Sequence, residues 1–190
     1  MRFMMKDAGA GALVLLAATT GTALAETTAN AAVSNNYLWR GLTQSENDPA
    51  VSGGIDYVAD SGFYVGTWVS NVSYLDADPF SYEHDIYFGY SGGDSFTYDV
   101  GYLYYNYDSL AKFDFGEVYG SLGYGGFSVT AYLLANTEAE EGVKPFGPGA
   151  TQDFGFGEAY YLSLDYSVPL RDDLALGLHL GQHSGDFAEA

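Results

Sequence analysis

The sequence predicts an all-β protein, an antiparallel up-and-down transmembrane β-barrel of about nine strands. Three observations carry that reading. Apolar and polar residues alternate with period two over most of the chain. The connections between the alternating stretches are short and long in turn. Beyond the first 25 residues no stretch approaches the ~20 apolar residues that a transmembrane helix needs.

Composition bounds the alternatives. The chain has 190 residues, with 18 Tyr, 12 Phe, 25 Gly and no Cys. Asp and Glu number 25 against 6 Lys and Arg, a formal net charge of -19. Such an acidic chain lacks the basic face that a phosphate backbone requires, so nucleic acid is excluded as a partner. Its aromatic content excludes disorder. Without Cys there is no disulfide framework, thiolate zinc site or Cys nucleophile.

Residues 1–25 read as a cleaved signal peptide. Arg2 and Lys6 precede an apolar run from Ala8 to Ala18, and Ala23-Leu24-Ala25 forms an A-x-A cleavage pattern before Glu26. Residues 26–190 are then the barrel domain, with Arg40, Lys112, Lys144 and Arg171 as its basic residues. An exported chain of this kind is expected in the outer membrane of a Gram-negative bacterium, the one place where a closed barrel satisfies every backbone group in lipid.

The strands are expected at about 31–42, 50–59, 62–74, 81–92, 95–106, 112–125, 127–136, 156–168 and 173–183. In the second, Val51, Ile55 and Tyr57 alternate with Ser52, Gly54 and Asp56. In the fourth, Tyr82, His84, Ile86, Phe88 and Tyr90 alternate with Glu83, Asp85, Tyr87 and Gly89. The fifth sets Phe96, Tyr98 and Val100 against Thr97, Asp99 and Gly101. The seventh sets Phe127, Val129, Ala131 and Leu133 against Ser128, Thr130 and Tyr132. The ninth sets Leu174, Leu176, Leu178 and Leu180 against Ala175, Gly177, His179 and Gly181. Tight turns are expected at Ala59–Gly62, Gly92–Asp94, Gly125-Gly126 and Pro169–Asp172. The other connections are longer and acidic: Thr43–Pro49, Leu75–Phe80, Tyr107–Ala111 and Asn136–Gly155. Short turns at one end and long loops at the other suit an outer-membrane barrel better than a soluble β-sandwich. Trp39, Tyr57, Trp68, Tyr90, Tyr104, Tyr124 and Tyr166 lie toward segment ends, where rings form membrane-interface girdles.

One stretch is more specific. Tyr37-Leu38-Trp39-Arg40-Gly41-Leu42-Thr43-Gln44-Ser45-Glu46-Asn47-Asp48-Pro49-Ala50-Val51 resembles the signature of the proteobacterial porin family labelled TorF. The likeness continues through Gly53–Tyr57, Gly62–Asn71, Asp85–Gly92, Tyr98–Tyr105 and Gly116–Leu122, and so spans most of residues 31–181. The resemblance implies an outer-membrane β-barrel with a pore role, and lends no catalytic residues. The chain departs from a barrel's usual close. It ends in the polar stretch Gly185–Ala190 rather than on a terminal aromatic strand, and about nine segments is an odd number where bacterial barrels have even ones. The pattern therefore predicts a chain truncated at its C-terminus, lacking at least one closing strand.

With the apolar faces assigned to lipid, the lumen-lining candidates are Arg40, Asp56, Glu83, Asp85, Asp99, Glu117, Asp165 and His179, accompanied by Tyr87, Tyr105, Tyr119, Tyr132 and Tyr161. Segments one, three and eight leave the face open, and with it Arg40, Asp165 and Tyr161. Carboxylates along a lumen attract cations and repel anions, which points to passive passage of small hydrophilic solutes or cations. The same residues would serve equally to fill a small barrel, since ~8 strands enclose little more than their own side chains. The alternatives are thus a porin-like channel, a non-conducting barrel that displays its loops, and a soluble secreted β-sandwich. The expected partners are outer-membrane lipid and lipopolysaccharide, with small solutes or cations.

No cofactor, metal or catalytic site is expected. Glu46, Asp48, Asp76, Asp78, Glu138, Glu140, Glu141, Asp153 and Asp186 read as solvated loop charge, and Asp76-x-Asp78 lacks the remaining ligands of a calcium loop. His183 and Ser184, near Asp186, point to opposite faces of an extended strand and cannot form a nucleophile–base pair. Glu83 and Asp85 share a face but read as lumen charge rather than a glycosidase pair. His84, on the apolar face, reads as a packed or interfacial histidine.

Overall fold

Alternation of side chains across a pleated strand makes each segment two-faced, and antiparallel pairing aligns like faces. In the computed structural model, which describes residues 13–17, 25–139 and 154–185, this produces twelve strands. They are β1 (Leu13–Ala17), β2 (Glu26–Ser34), β3 (Leu38–Trp39), β4 (Leu42–Thr43), β5 (Ala50–Val58), β6 (Phe63–Asn71), β7 (Tyr82–Gly93), β8 (Phe96–Asn106), β9 (Phe115–Tyr124), β10 (Phe127–Thr137), β11 (Tyr160–Arg171) and β12 (Leu174–Ser184). Ten of them form one sheet in the order β1-β2-β5-β6-β7-β8-β9-β10-β11-β12, and β3 and β4 form a separate hairpin. The β1–β2, β2–β5, β5–β6, β9–β10, β10–β11 and β11–β12 ladders are antiparallel, so the fold is an up-and-down meander without helices among the described residues.

Eight of the nine expected segments match a strand of the large sheet to within a few residues. The first does not. Residues 31–42 were expected as one strand, but β2 ends at Ser34 and the chain turns back on itself through β3 and β4. Arg40 and Gly41 both adopt positive φ (50° and 87°), the two-residue turn that matches strand twist and that no continuous strand accommodates. At the other end, β11 runs through Pro169 to Arg171, past the expected turn. A register shift between Pro169 and Arg171 accommodates a residue that has no N–H to donate to the ladder.

The expected closure into a barrel is not seen. The ladders of the large sheet end at β1 on one side and β12 on the other, and β1 occupies the edge of β2 that faces away from β5. The leader segment thus contributes β1, while the part of the acidic loop that holds Glu140, Glu141, Lys144 and Asp153, together with Asp186, lies outside the described residues.

The chain divides into two compact units. Residues 1–87 with 105–114 make the first, and 88–104 with 115–190 the second. In the first unit Val51, Ile55, Tyr57, Val65, Val69 and Ile86 are exposed, whereas Ser70, Glu83, Asp85 and Tyr105 are buried. In the second unit Phe88, Val100, Leu122, Val129, Leu164 and Leu178 are exposed, whereas Glu117, Tyr119, Tyr161 and Ser163 are buried. Both units are inverted relative to a water-soluble sheet, which buries its apolar face.

The long loops are held by carboxylates. Asp78 accepts from the backbone N–H groups of Tyr74 (2.8 Å), Leu75 (2.6 Å) and Phe80 (2.8 Å). Asp108 accepts from the Ser81 N–H at 2.6 Å, from the Ser81 hydroxyl and from the Tyr82 N–H. Partial desolvation pushes the Asp108 carboxyl upward, but the bonds from Ser81 and Tyr82 outweigh it and hold the group below its ordinary range. A depressed carboxyl contributes stability that is complete above the ordinary aspartate pKa, about 4, and is lost as pH falls through the lower folded value. Hydrogen-exchange protection of the Ser81 and Tyr82 amides is therefore expected to persist at pH 5 and fall in stronger acid. At pH 5, Asp108→Asn should lower it at both amides. Equal protection in the two proteins would show that the carboxylate does not hold this loop.

Candidate functional site: a carboxylate and tyrosine face

The polar face of the first unit is organised around Glu83 on β7. Glu83 and its neighbour Asp85 are each 1% exposed. A carboxylate at such depth is costly unless hydrogen-bonded. Both Glu83 oxygens accept from phenols, Oε1 from Tyr37 and Oε2 from Tyr107, each at 2.7 Å. Burial, followed by the nearby Glu83 charge, pushes both phenols well above their ordinary pKa, so they remain donors. Beside them, the Tyr87 hydroxyl donates to Asp56.

Aromatic rings pack around this cluster. Tyr37 meets Trp68 edge to face at 5.3 Å, and Trp39 meets Tyr105 at 5.9 Å. The Arg40 guanidinium lies 4.2 Å from the Trp39 ring centroid. Trp39 and Trp68, expected among the interfacial rings, thus pack on tyrosines of the polar side. Trp68 shares strand parity with buried Gly66 and Ser70, opposite exposed Val65 and Val69. Arg40, expected on the wall, sits in the turn between β3 and β4. On the apolar face His84 Nε2 lies 2.7 Å from the Thr67 hydroxyl, whose single proton goes to the Asp85 carbonyl at 2.9 Å. His84 is therefore the donor and carries its proton on Nε2.

In the second unit Asp99, Glu117, Asp165 and His179 stand on the polar face. Tyr119, Tyr132, Tyr161 and His183 are register neighbours on successive strands β9–β12. Their rings follow at 5.2, 6.3 and 5.8 Å. His179 bridges Asp165 through Nδ1 and the Tyr161 hydroxyl through Nε2, both at 2.7 Å. With the carboxylate accepting from Nδ1–H, a neutral ring accepts the Tyr161 proton at Nε2. The chain Tyr161–His179–Asp165 positions three polar groups, but its hydroxyl is buried. His183 and Ser184 lie opposite Tyr161 and Tyr160 and so face opposite ways.

The apolar face of the second unit carries stacked rings beside the tight turns: Tyr90 with Tyr98, Phe96 with Tyr124, and Phe127 with Tyr166. Tyr57, on β5 of the first unit, is exposed just before the turn at Ala59–Gly62. Tyr104 has the parity of Val100 near the long-loop end of β8.

Strand parity locates the carboxylates from sequence. It misses Tyr107, which lies outside the expected segments, and Tyr37, which falls in the expected strand 31–42 but sits between β2 and β3. A family model described as a bacterial protein of unknown function (Gcw_chp) matches residues 18–189.

The chain belongs to the Gcw_chp family.

That match takes in every strand of the Gcw_chp chain from β2 to β12. No curated protein and no solved structure matches it.

Proposed function

We propose that this Gcw_chp protein is a porin-like outer-membrane β-barrel for passive passage of small hydrophilic solutes, with a preference for cations. The observation that carries the proposal is the inverted burial, with apolar side chains exposed and carboxylates buried in both units. Lipid in place of water removes the cost of that exposed apolar surface. The stacked rings beside the tight turns suit a membrane–water interface. The resemblance to TorF-type porins supports the same class. Export would remove β1 with the leader and leave the outer edge of β2 available for a closing partner. The partners in this reading are outer-membrane lipid and lipopolysaccharide, with small solutes or cations in the lumen.

The test is purified protein in planar bilayers, after heat-modifiable mobility in detergent gels has established a folded barrel. Discrete steps with a reversal potential on the cation side are the expected outcome, because carboxylates dominate the polar face. Reversal on the anion side would overturn the acidic-lumen argument. A second reading, a filled and non-conducting barrel, is favoured by the two phenols that saturate buried Glu83. An inserted, heat-modifiable protein without steps would decide for it.

A further inference from the structure

The connection from β2 to β5 folds back onto the first unit. It begins at buried Tyr37, runs out through β3, turns at Arg40 and Gly41, and returns through β4 to buried Gln44 and Ser45. Its own closure is tight. Gln44 N–H donates to the Tyr37 carbonyl at 2.7 Å, and the Ser45 hydroxyl accepts from Tyr37 N–H at 3.0 Å and donates to the Asp48 carbonyl at 2.8 Å.

The hairpin also touches the wall at several places. Tyr37 reaches Glu83 on β7 and Trp68 on β6, and Trp39 reaches Tyr105 on β8. Beside the wall, Ser73 N–H donates to the Gln44 carbonyl at 2.9 Å, and the Tyr74 hydroxyl donates to Gln44 Oε1 at 2.9 Å. A solvated surface loop has no reason to bury Tyr37, Gln44 and Ser45. Glu83 joins the hairpin to a second loop, through Tyr37 on one oxygen and Tyr107 on the other.

We propose that residues 37–48 form an inward-folded constriction element, latched by Glu83 between Tyr37 and Tyr107, that sets how much passes through the barrel. The inference rests on the barrel reading and assigns its narrowest part to a hairpin instead of the strands. A latch of two charge-assisted bonds to one carboxylate is weakened when the carboxylate is replaced by a neutral amide, which keeps one acceptor oxygen and only neutral bonds.

The experiment compares wild type with Glu83→Gln in planar bilayers of potassium chloride. Heat-modifiable mobility is the control for a folded barrel. A several-fold higher conductance for Glu83→Gln is expected. The Tyr37→Phe/Tyr107→Phe protein removes the same two bonds with the carboxylate in place and should act likewise, so the test survives if one variant does not fold. Because the chain has no Cys, Ser45→Cys/Ser73→Cys adds a single tether at the one bridge joining hairpin and wall loop. Oxidation of that tether in Glu83→Gln should restore the wild-type conductance, and reduction should release it. A silent wild type with a conducting Glu83→Gln would also support the latch. Folded variants with unchanged conductance would overturn it and leave the barrel reading intact. A wild type that never becomes heat-modifiable in lipid would overturn the barrel reading itself.

Discussion

Val129→Arg is expected to prevent assembly in a lipid bilayer, while Ser128→Lys beside it assembles normally. Val129 is the third residue of β10, opposite Leu122 of β9 and Leu164 of β11, and Leu164 lies opposite Leu180 of β12. These four side chains form a continuous row, with exposures of 71% for Leu122, 53% for Val129, 43% for Leu164 and 73% for Leu180. In water such a row would be an aggregation liability. In hydrocarbon it is the preferred surface, and an arginine there costs up to about 2–4 kcal/mol, the most toward the midplane and less toward the interface rings of Phe127 and Tyr166 two positions away. Ser128 has the opposite parity and pairs with Asp165, so a lysine there meets a carboxylate. The heat-modifiable fraction recovered from liposomes, and the urea midpoint of folding into them, measure the difference. Equal tolerance of the two substitutions would show that this face does not meet lipid.

Gly66→Val is expected to be strongly destabilising in the first unit. Gly66 pairs with Asp56 across β5 and β6, and the Tyr87 ring lies directly over it. A side chain begun at Gly66 would clash with that ring and come within 2.6 Å of an Asp56 oxygen. The Tyr87 ring cannot retreat without breaking its bond to Asp56. Overpacking costs about 1–3 kcal/mol, and loss of a bond to a charged group adds about 1.5–3. Tyr87→Phe should cost only the second part. Tyr87→Ala placed in the Gly66→Val background should recover stability by making room. A Gly66→Val protein with a wild-type urea midpoint would show that the ring has another place to go.

Much of this was legible in the sequence for a simple reason. A strand reports its two faces through parity, so Asp56, Glu83, Asp85, Asp99 and Glu117 are placed by counting from exposed Val51, Ile86, Val100 and Leu122. Turn chemistry marks Gly125-Gly126 in the same local way. Trp68 was misplaced because position along the segment was weighed before parity, which puts it with Ser70. Tyr37 was read in the expected strand 31–42 and Gln44 and Ser45 in a loop, whereas the chain folds back there through β3 and β4. Tyr37 and Glu83 are separated by 46 positions.

The sequence by itself determined an all-β meander, most of its strands and turns, and which side chains share a face. Those follow from the pleat and from backbone chemistry, which act over a few residues. Only the tertiary structure decided that the connection after β2 folds back on the polar face, that two phenols close on Glu83, and that Trp39 and Trp68 pack there. Each of those depends on contacts between distant segments, whose geometry no local pattern encodes.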